Sequence, residues 1–181
     1  KLNIRFDDRP LTKEEFDSWL PYYIEKMNEN NYDIFANENW YEKKQSEGYE
    51  LGRFFYYQNE ALIGSLIYSK INTDFITINF KASEKDDFFR GGRSSLGAIM
   101  DYNFLTKSRQ ENIKVISAGL ARNQAGIDNS FGYLDYKLRF GYYPALEKGI
   151  ELVDTVSINE DRNVIFLGLK EDIPSLFVIS D

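Results

Sequence analysis

The sequence predicts a mixed α/β fold in which a mostly antiparallel sheet is flanked by helices, and three observations carry that prediction. Three β-prone runs over residues 50–58, 61–71 and 75–82 are joined by short turns at Asn59-Glu60 and Asn72-Thr73-Asp74, the grammar of an antiparallel meander. The third run leads through a Gly- and Ser-rich turn into an amphipathic helix and then a β-prone stretch over residues 113–120, the strand, helix, strand order of a parallel crossover. Ahead of the meander, apolar residues recur at helical spacing.

Taken in order, Leu2-Asn3-Ile4-Arg5-Phe6 alternates as a half-buried strand, which Asp7 to Pro10 should end. Thr12-Lys13-Glu14-Glu15 reads as a capping box, and Phe16, Trp19, Leu20, Tyr23, Ile24 and Met27 fall on one helical face. Pro21 lies inside that pattern and predicts a kink or two short helices, because it removes a backbone donor and crowds the preceding turn. Asn28 to Asn31 should stop the helix, and a second helical segment is expected over residues 34–45, closed by Gly48.

After the meander, Leu96, Ile99, Met100 and Phe104 give the next helix its buried face, with Lys107, Ser108 and Arg109 in its last turn. Asp128, Asn129 or Ser130 can cap a further helix that carries Ile127, Phe131, Leu134 and Leu138 on one face and has Gly141 just past its end. Residues 151–158 and 163–169, separated by Asn159-Glu160-Asp161-Arg162, suggest a closing hairpin. A last β-prone run at Leu176-Phe177-Val178-Ile179 has no evident partner.

Composition narrows the chemistry. The 181 residues suit one domain over 1–181, either alone or within a longer protein, since the chain opens on Lys1. It contains no Cys and no His. Thiolate nucleophiles, Cys-ligated zinc, Ser-His-Asp triads and imidazole acid/base chemistry are thereby excluded within it. Chemistry falls to carboxylates, Tyr, Lys and backbone groups. With 22 basic against 29 acidic residues the net charge is −7, which argues against a nucleic-acid or anionic-membrane partner. No apolar run approaches a membrane span and no signal-peptide pattern opens the chain, so a cytoplasmic location is expected.

The stretch richest in function is residues 88–102. A helix start exposes backbone N–H groups and the positive end of the macrodipole, which suit an anion. Gly91 and Gly92 would let a ligand approach the backbone, and Ser94 or Ser95 could cap the helix or touch a phosphate. The same residues also suit an ordinary loop-to-helix junction in which the glycines turn and a serine caps.

The order strand, helix, meander, Gly-rich turn into helix, strand, helix, hairpin resembles the GNAT superfamily of acyl-CoA-dependent N-acyltransferases over nearly the whole chain. Arg90-Gly91-Gly92-Arg93-Ser94-Ser95 lies where that family carries an Arg/Gln-x-x-Gly-x-Gly/Ala turn around the CoA pyrophosphate. Ala98-Ile99-Met100-Asp101-Tyr102 resembles the start of the helix behind it. Tyr136-Lys137-Leu138-Arg139-Phe140-Gly141-Tyr142 is similar to the family's closing signature of Tyr, three residues, Gly-Phe. Two departures are visible: Arg93 and Ser95 stand at the small positions of the turn, and Lys137 stands four residues before Gly141 with Tyr136 one place earlier.

The resemblance implies a GNAT-like domain that transfers an acyl group, acetyl above all, from acetyl-CoA or another acyl-CoA to a primary amine. The amine would be borne by a small molecule or peptide, and transfer would be direct in a ternary complex. It implies a donor site at Phe80, Lys81 and Ala82, where backbone N–H would polarise the thioester carbonyl and a splay in the sheet would admit the pantetheine arm. Arg90 through Ser95, Asn123 and Lys137 would contact CoA, and Tyr136 or Tyr133 would protonate the leaving thiolate. Glu84, Asp86 and Asp87 flank the site without an assignable general base among them. Trp19, Trp40, Tyr41, Tyr56 and Tyr57 are possible acceptor-side walls as well as core residues. Two other readings stay open: a GNAT-like binding or structural module without catalysis, and a FemABX-like transferase using aminoacyl-tRNA. The oligomeric state is not readable from the sequence.

Overall fold

A computed structural model describes residues 4–84, 95–118, 136–142, 164–170 and 173–179. The chain divides into two compact units, Lys1–Gly119 and Leu120–Asp181.

The first unit is a five-stranded sheet in the order β1-β2-β3-β4-β5, with helices packed on it. Strand β1 (Ile4–Pro10) runs antiparallel to β2 (Glu50–Gln58), β2 to β3 (Ala61–Lys70), and β3 to β4 (Phe75–Ser83). Helix α3 (Leu96–Gln110) then carries the chain to β5 (Val115–Ser117), which pairs parallel to β4. The predicted meander and crossover are both present. Asn59 and Glu60 turn the β2–β3 hairpin with positive φ of 49° and 64°, the backbone a two-residue primed turn needs.

Helix α1 (Lys13–Glu29) forms on the capping box: Thr12 Oγ1 accepts from Glu15 N–H at 3.2 Å, and Glu15 Oε2 accepts from Thr12 N–H at 3.1 Å. Of the kink or two short helices expected at Pro21, the second does not occur, since the helix runs through the proline undivided. Both Pro21 and Asp17, whose carbonyl loses its partner to the proline, face solvent, where water can serve the orphaned acceptor. Helix α2 (Trp40–Ser46) is shorter than expected, since residues 34–39 lie outside it. Strand β1 in turn extends past Phe6, because Asp7 meets Arg53 across the strands and Asp8 and Arg9 meet the helix-borne Lys107 and Glu15.

The sheet buries both faces. On one, Phe16, Trp19, Tyr23 and Met27 of α1 pack on Leu51, Phe55, Ile67 and Phe80. On the other, Leu96, Met100 and Phe104 of α3 pack on Phe54, Tyr56, Leu66 and Tyr68. Each fully buried large apolar side chain contributes roughly 1.5–3 kcal/mol. Gly64 lets α3 come close to β3: a Cβ there would lie 3.0 Å from both Leu96 Cδ2 and Met100 Sδ.

In the second unit, residues 136–139 are helical and end at Gly141, whose φ is +81°. Gly141 N–H donates to Leu138 O at 3.0 Å and Tyr142 N–H to Lys137 O at 3.1 Å, the paired bonds of a Schellman cap. Strands β6 (Val164–Lys170) and β7 (Ile173–Ile179) form an antiparallel pair, which supplies the partner that the last β-prone run lacked in the sequence reading. The expected strand at 151–158 lies outside the described residues. Among the described residues, no helix is long and apolar enough to cross a membrane.

Candidate functional site

The site begins with how β4 ends. On one side β4 pairs with β3 from Ile76 to Ser83, and among the described residues its parallel ladder with β5 comprises Phe75–Val115, Ile76–Ile116 and Thr77–Ser117. Between these regions the β3–β4 register shifts, with Tyr68 opposite Ile78 and Ile67 opposite Phe80, so Asn79 is the extra residue of a bulge. Asn79 Nδ2 secures it by donating to Ser69 Oγ at 2.6 Å and Thr77 O at 3.3 Å. The bulge reverses the faces: Ile78 packs on the α3 side and Phe80 on the α1 side.

Beyond the bulge, Glu84 N–H donates to Ile63 O at 2.8 Å. By the alternation of an antiparallel ladder, residues 80, 82 and 84 therefore address β3, while Lys81 and Ser83 direct their backbone N–H and C=O groups to the opposite side. That is the side which β5 occupies lower down the strand.

A cavity of about 350 Å³ opens at this end of β4. Its walls include Ala82, Ser83 and Glu84 from the strand end, Ser95 and Gly97 from the start of α3, and Tyr32 beyond α1. Ser95 is the N-cap of α3, its Oγ accepting from Ala98 N–H at 3.2 Å. Lys81, also in the wall, donates from Nζ to Oδ2 of the buried Asp101 at 2.7 Å. Burial draws the Lys81 pKa below the ordinary lysine value, and Asp101 only partly restores it. The groove wall thus carries an ammonium oriented from beneath.

A second ionic group forms the rim. Lys26, buried at 5% exposure near the end of α1, contacts Glu84 Oε1 at 3.0 Å, Glu29 Oε1 at 3.1 Å and Glu25 Oε1 at 3.2 Å. Burial alone would lower its pKa, but Glu84, Glu29 and Glu25 together outweigh that and hold it above the ordinary value. Lys26 is therefore a fixed cation here, and three carboxylates around one ammonium leave the rim acidic.

A larger cavity, about 660 Å³, is lined by Tyr41, Tyr49, Tyr68, Lys70, Lys107 and Glu111. Of the residues that the sequence marked for acyl transfer it holds Tyr41, a possible acceptor-side wall, and none marked for the acyl donor. The smaller groove is the better candidate because the end of β4 and the first turn of α3 both line it.

Of the sequence-derived site residues, Lys81, Ala82 and Ser95 line this groove. Phe80 turns inward, packs its ring among Trp19, Tyr23 and Trp40, and does not line the groove. Tyr136 and Lys137 belong to the second unit, where the Tyr136 and Phe140 rings lie 5.0 Å apart. Arg90, Gly91, Gly92, Arg93, Ser94, Asn123 and Tyr133 lie outside the described residues. Trp19 and Tyr56 are core: Trp19 Nε1 donates to Ser65 Oγ at 2.9 Å, and Tyr56 accepts from Asn103 at 3.0 Å. Trp40, Tyr41 and Tyr57 pack against that core. Sequence reasoning missed Lys26, Tyr32 and Asp101. Asp101 carried one signal, an acid beside the apolar stripe of Leu96, Met100 and Phe104.

No protein-family model matches the sequence, and no curated protein matches it. Solved structures do match. An acetyltransferase from Streptococcus agalactiae aligns with a TM-score of 0.55 at 12% identity, over 90% of this chain and 94% of its own. A predicted acetyltransferase from Clostridium acetobutylicum, solved with acetyl-CoA, gives 0.53 at 12% identity, over 82% and 96%. An aminoglycoside acetyltransferase from an uncultured soil metagenomic sample, in complex with trehalose, gives 0.51 at 11%, over 87% and 100%. At such identities the likeness is one of architecture, and the architecture of this chain is the GNAT fold.

Proposed function

We propose that the protein is an acyl-CoA-dependent N-acyltransferase that acylates a primary amine directly, within a ternary complex. The observation that carries this reading is the end of β4. The strand continues to Ser83 while its described ladder with β5 stops at Thr77, and a groove opens at the strand end. A pantetheine arm is rich in amides, so it can extend such an edge as an extra strand would. The groove's volume suits the acyl end of a thioester, and its mixture of Ala82, Ser83 and Gly97 leaves the backbone approachable. The residues present fit the co-substrate.

Backbone N–H at the end of β4 would polarise the thioester carbonyl, with no reorganisation needed because β3 and the Asn79 bulge hold the strand. The unprotonated amine nitrogen attacks the carbonyl carbon, the C–S bond breaks, the nitrogen loses a proton to solvent, and the sulfur takes one. The sequence signature assigns that proton to Tyr136 or Tyr133. No covalent enzyme intermediate is required, which agrees with a chain lacking both Cys and His. The binding of CoA by Arg90 through Ser95, Asn123 and Lys137 is part of the same proposal. Incubation with acetyl-CoA and a panel of primary amines, followed by released thiol, tests it. Amine-dependent thiol release supports transfer, and none with any amine in the panel opposes it.

A further inference from the structure

The larger cavity lies at the other end of the sheet from the groove. The groove forms where Glu84 N–H meets Ile63 O near the start of β3, whereas the cavity takes Tyr68 and Lys70 from the end of that strand. Tyr41 and Gln45 of α2, Glu50 at the start of β2, and Lys107 in the last turn of α3 complete much of the wall. Among the described residues the two cavities share no lining side chain.

Tyr68 is the buried polar group of this wall. It is 8% exposed, and its ring lies 6.0 Å from that of Phe54 and 5.4 Å from that of Phe104. Gly52 stands opposite it on β2 and makes room for the ring tip, since a Cβ there would overlap Tyr68 Cζ and Oη. Among the described residues the Tyr68 hydroxyl makes no hydrogen bond. A hydroxyl so deeply placed ordinarily has a partner, and this one offers a donor and an acceptor in the wall of a cavity. Burial pushes its pKa up to about 12, so it remains a neutral O–H near pH 7.

The charges around the cavity nearly cancel. Lys70 and Lys107 line it together with Glu50 and Glu111. Behind them Lys107 contacts Asp8 at 3.0 Å, and Lys44, over the Tyr49 ring, pairs with Glu47 at 2.6 Å. Lys70 and Glu50 stand 3.8 Å apart, beyond hydrogen-bond distance, so each can take another partner. A cationic ligand here meets two ammoniums, and an anionic one meets two carboxylates. A wholly apolar ligand would desolvate all four, and the Tyr68 hydroxyl, without replacing their hydrogen bonds. A neutral ligand bearing many hydroxyls avoids each of these penalties, donating to the carboxylates and accepting from the ammoniums. The Tyr41 ring, fixed by its hydroxyl donating to Leu11 O at 3.0 Å, and the Tyr49 ring give the wall apolar surface suited to the C–H face of a sugar ring.

We propose that this cavity is a binding site for a neutral saccharide, hydrogen-bonded by the Tyr68 hydroxyl and the Lys70 and Glu50 side chains. Its volume of about 660 Å³ falls within the roughly 300–1,000 Å³ of small-molecule sites. The site stands apart from the acyl-transfer groove, so sugar binding is expected whether or not acetyl-CoA binds.

Saturation-transfer NMR of the full chain tests this. Methyl glucoside, methyl galactoside, methyl mannoside, maltose and cellobiose serve as neutral probes, and glucosamine and glucuronate as charged ones. At least one neutral sugar should receive saturation and bind more tightly than both charged sugars. Tyr68→Phe should weaken that sugar about three- to tenfold, the loss of one hydrogen bond, and leave the unfolding midpoint unchanged or higher. Saturation of none of the neutral sugars at millimolar concentration, tighter binding of a charged sugar, or undiminished binding by Tyr68→Phe would overturn the proposal.

Discussion

The Lys81 ammonium and the Asp101 carboxylate meet at 2.7 Å, joining the end of β4 to the second turn of α3 directly beneath the candidate groove. Asp101 is almost wholly buried and Lys81 about one-quarter exposed at 28% of its side chain. Removing the carboxylate takes the Asp101 contact from a part-buried cation. Asp101→Ala is expected to cost about 2–3 kcal/mol in urea unfolding, less than the ~3–5 kcal/mol of a fully buried pair. A loss within experimental error would mean that the pair is not structural.

A second ion cluster makes stability depend on pH. Arg53 is buried at 1% exposure and holds Glu15 Oε1 at 2.6 Å and Asp7 Oδ2 at 3.2 Å. Arg9 lowers the Asp7 pKa most, with Arg53 adding to it, and Arg53 is the main cause for Glu15. Both carboxyls therefore bind fewer protons folded than unfolded in the acid range. Their contribution is present in full above the ordinary values of 3.8 for Asp7 and 4.5 for Glu15, and is lost as pH falls through the depressed folded values. Unfolding free energy measured from about pH 7 down to pH 3 should fall in that window, and Arg53→Met should flatten the slope.

Gly97 gives a test of opposite sign. A Cβ there would meet Lys81 Cε at 3.6 Å and Nζ at 3.7 Å, ordinary contact distances, in the first turn of α3. Gly97→Ala should raise stability by about 0.5–1 kcal/mol through helix propensity. Gly97→Leu should instead fill the groove and weaken acetyl-CoA binding with little change in the unfolding midpoint.

For the reaction itself, Tyr136→Phe and Tyr133→Phe distinguish the two proposed proton donors. The true donor's variant should lower kcat by roughly 10²-fold or more while leaving KM for acetyl-CoA nearly unchanged. Unchanged kcat in both variants would remove tyrosine from that role.

Much of the fold was legible because it is written in local signals. The capping box at Thr12 and Glu15, the hairpin turn at Asn59-Glu60 and the apolar stripe of α3 each act within a few residues. What escaped depends on distant partners. Asp7 and Asp8 look like strand breakers until Arg53 and Lys107 are brought beside them. Residues 34–39 suggest helix until Tyr23 and the burial of Ala36 draw them into another path. Ile76, Ile78 and Phe80 share one parity in the sequence, and only the pairing with β3 reveals the Asn79 bulge that sends Phe80 to the other face. The sequence marked the β4 end and Ser95 as candidate site residues but not the charged rim beside them, since Lys26 and Glu84 lie far apart in sequence.

The central claim is that the groove at the end of β4 receives an acyl-CoA. Calorimetric titration of the wild-type protein with acetyl-CoA tests this most directly. Saturable one-to-one binding is expected with Kd between about 1 μM and 1 mM, the range usual for enzyme substrates, and it should be weakened by Gly97→Leu and by a bulky residue at Gly92. Absence of binding at millimolar acetyl-CoA would contradict the account.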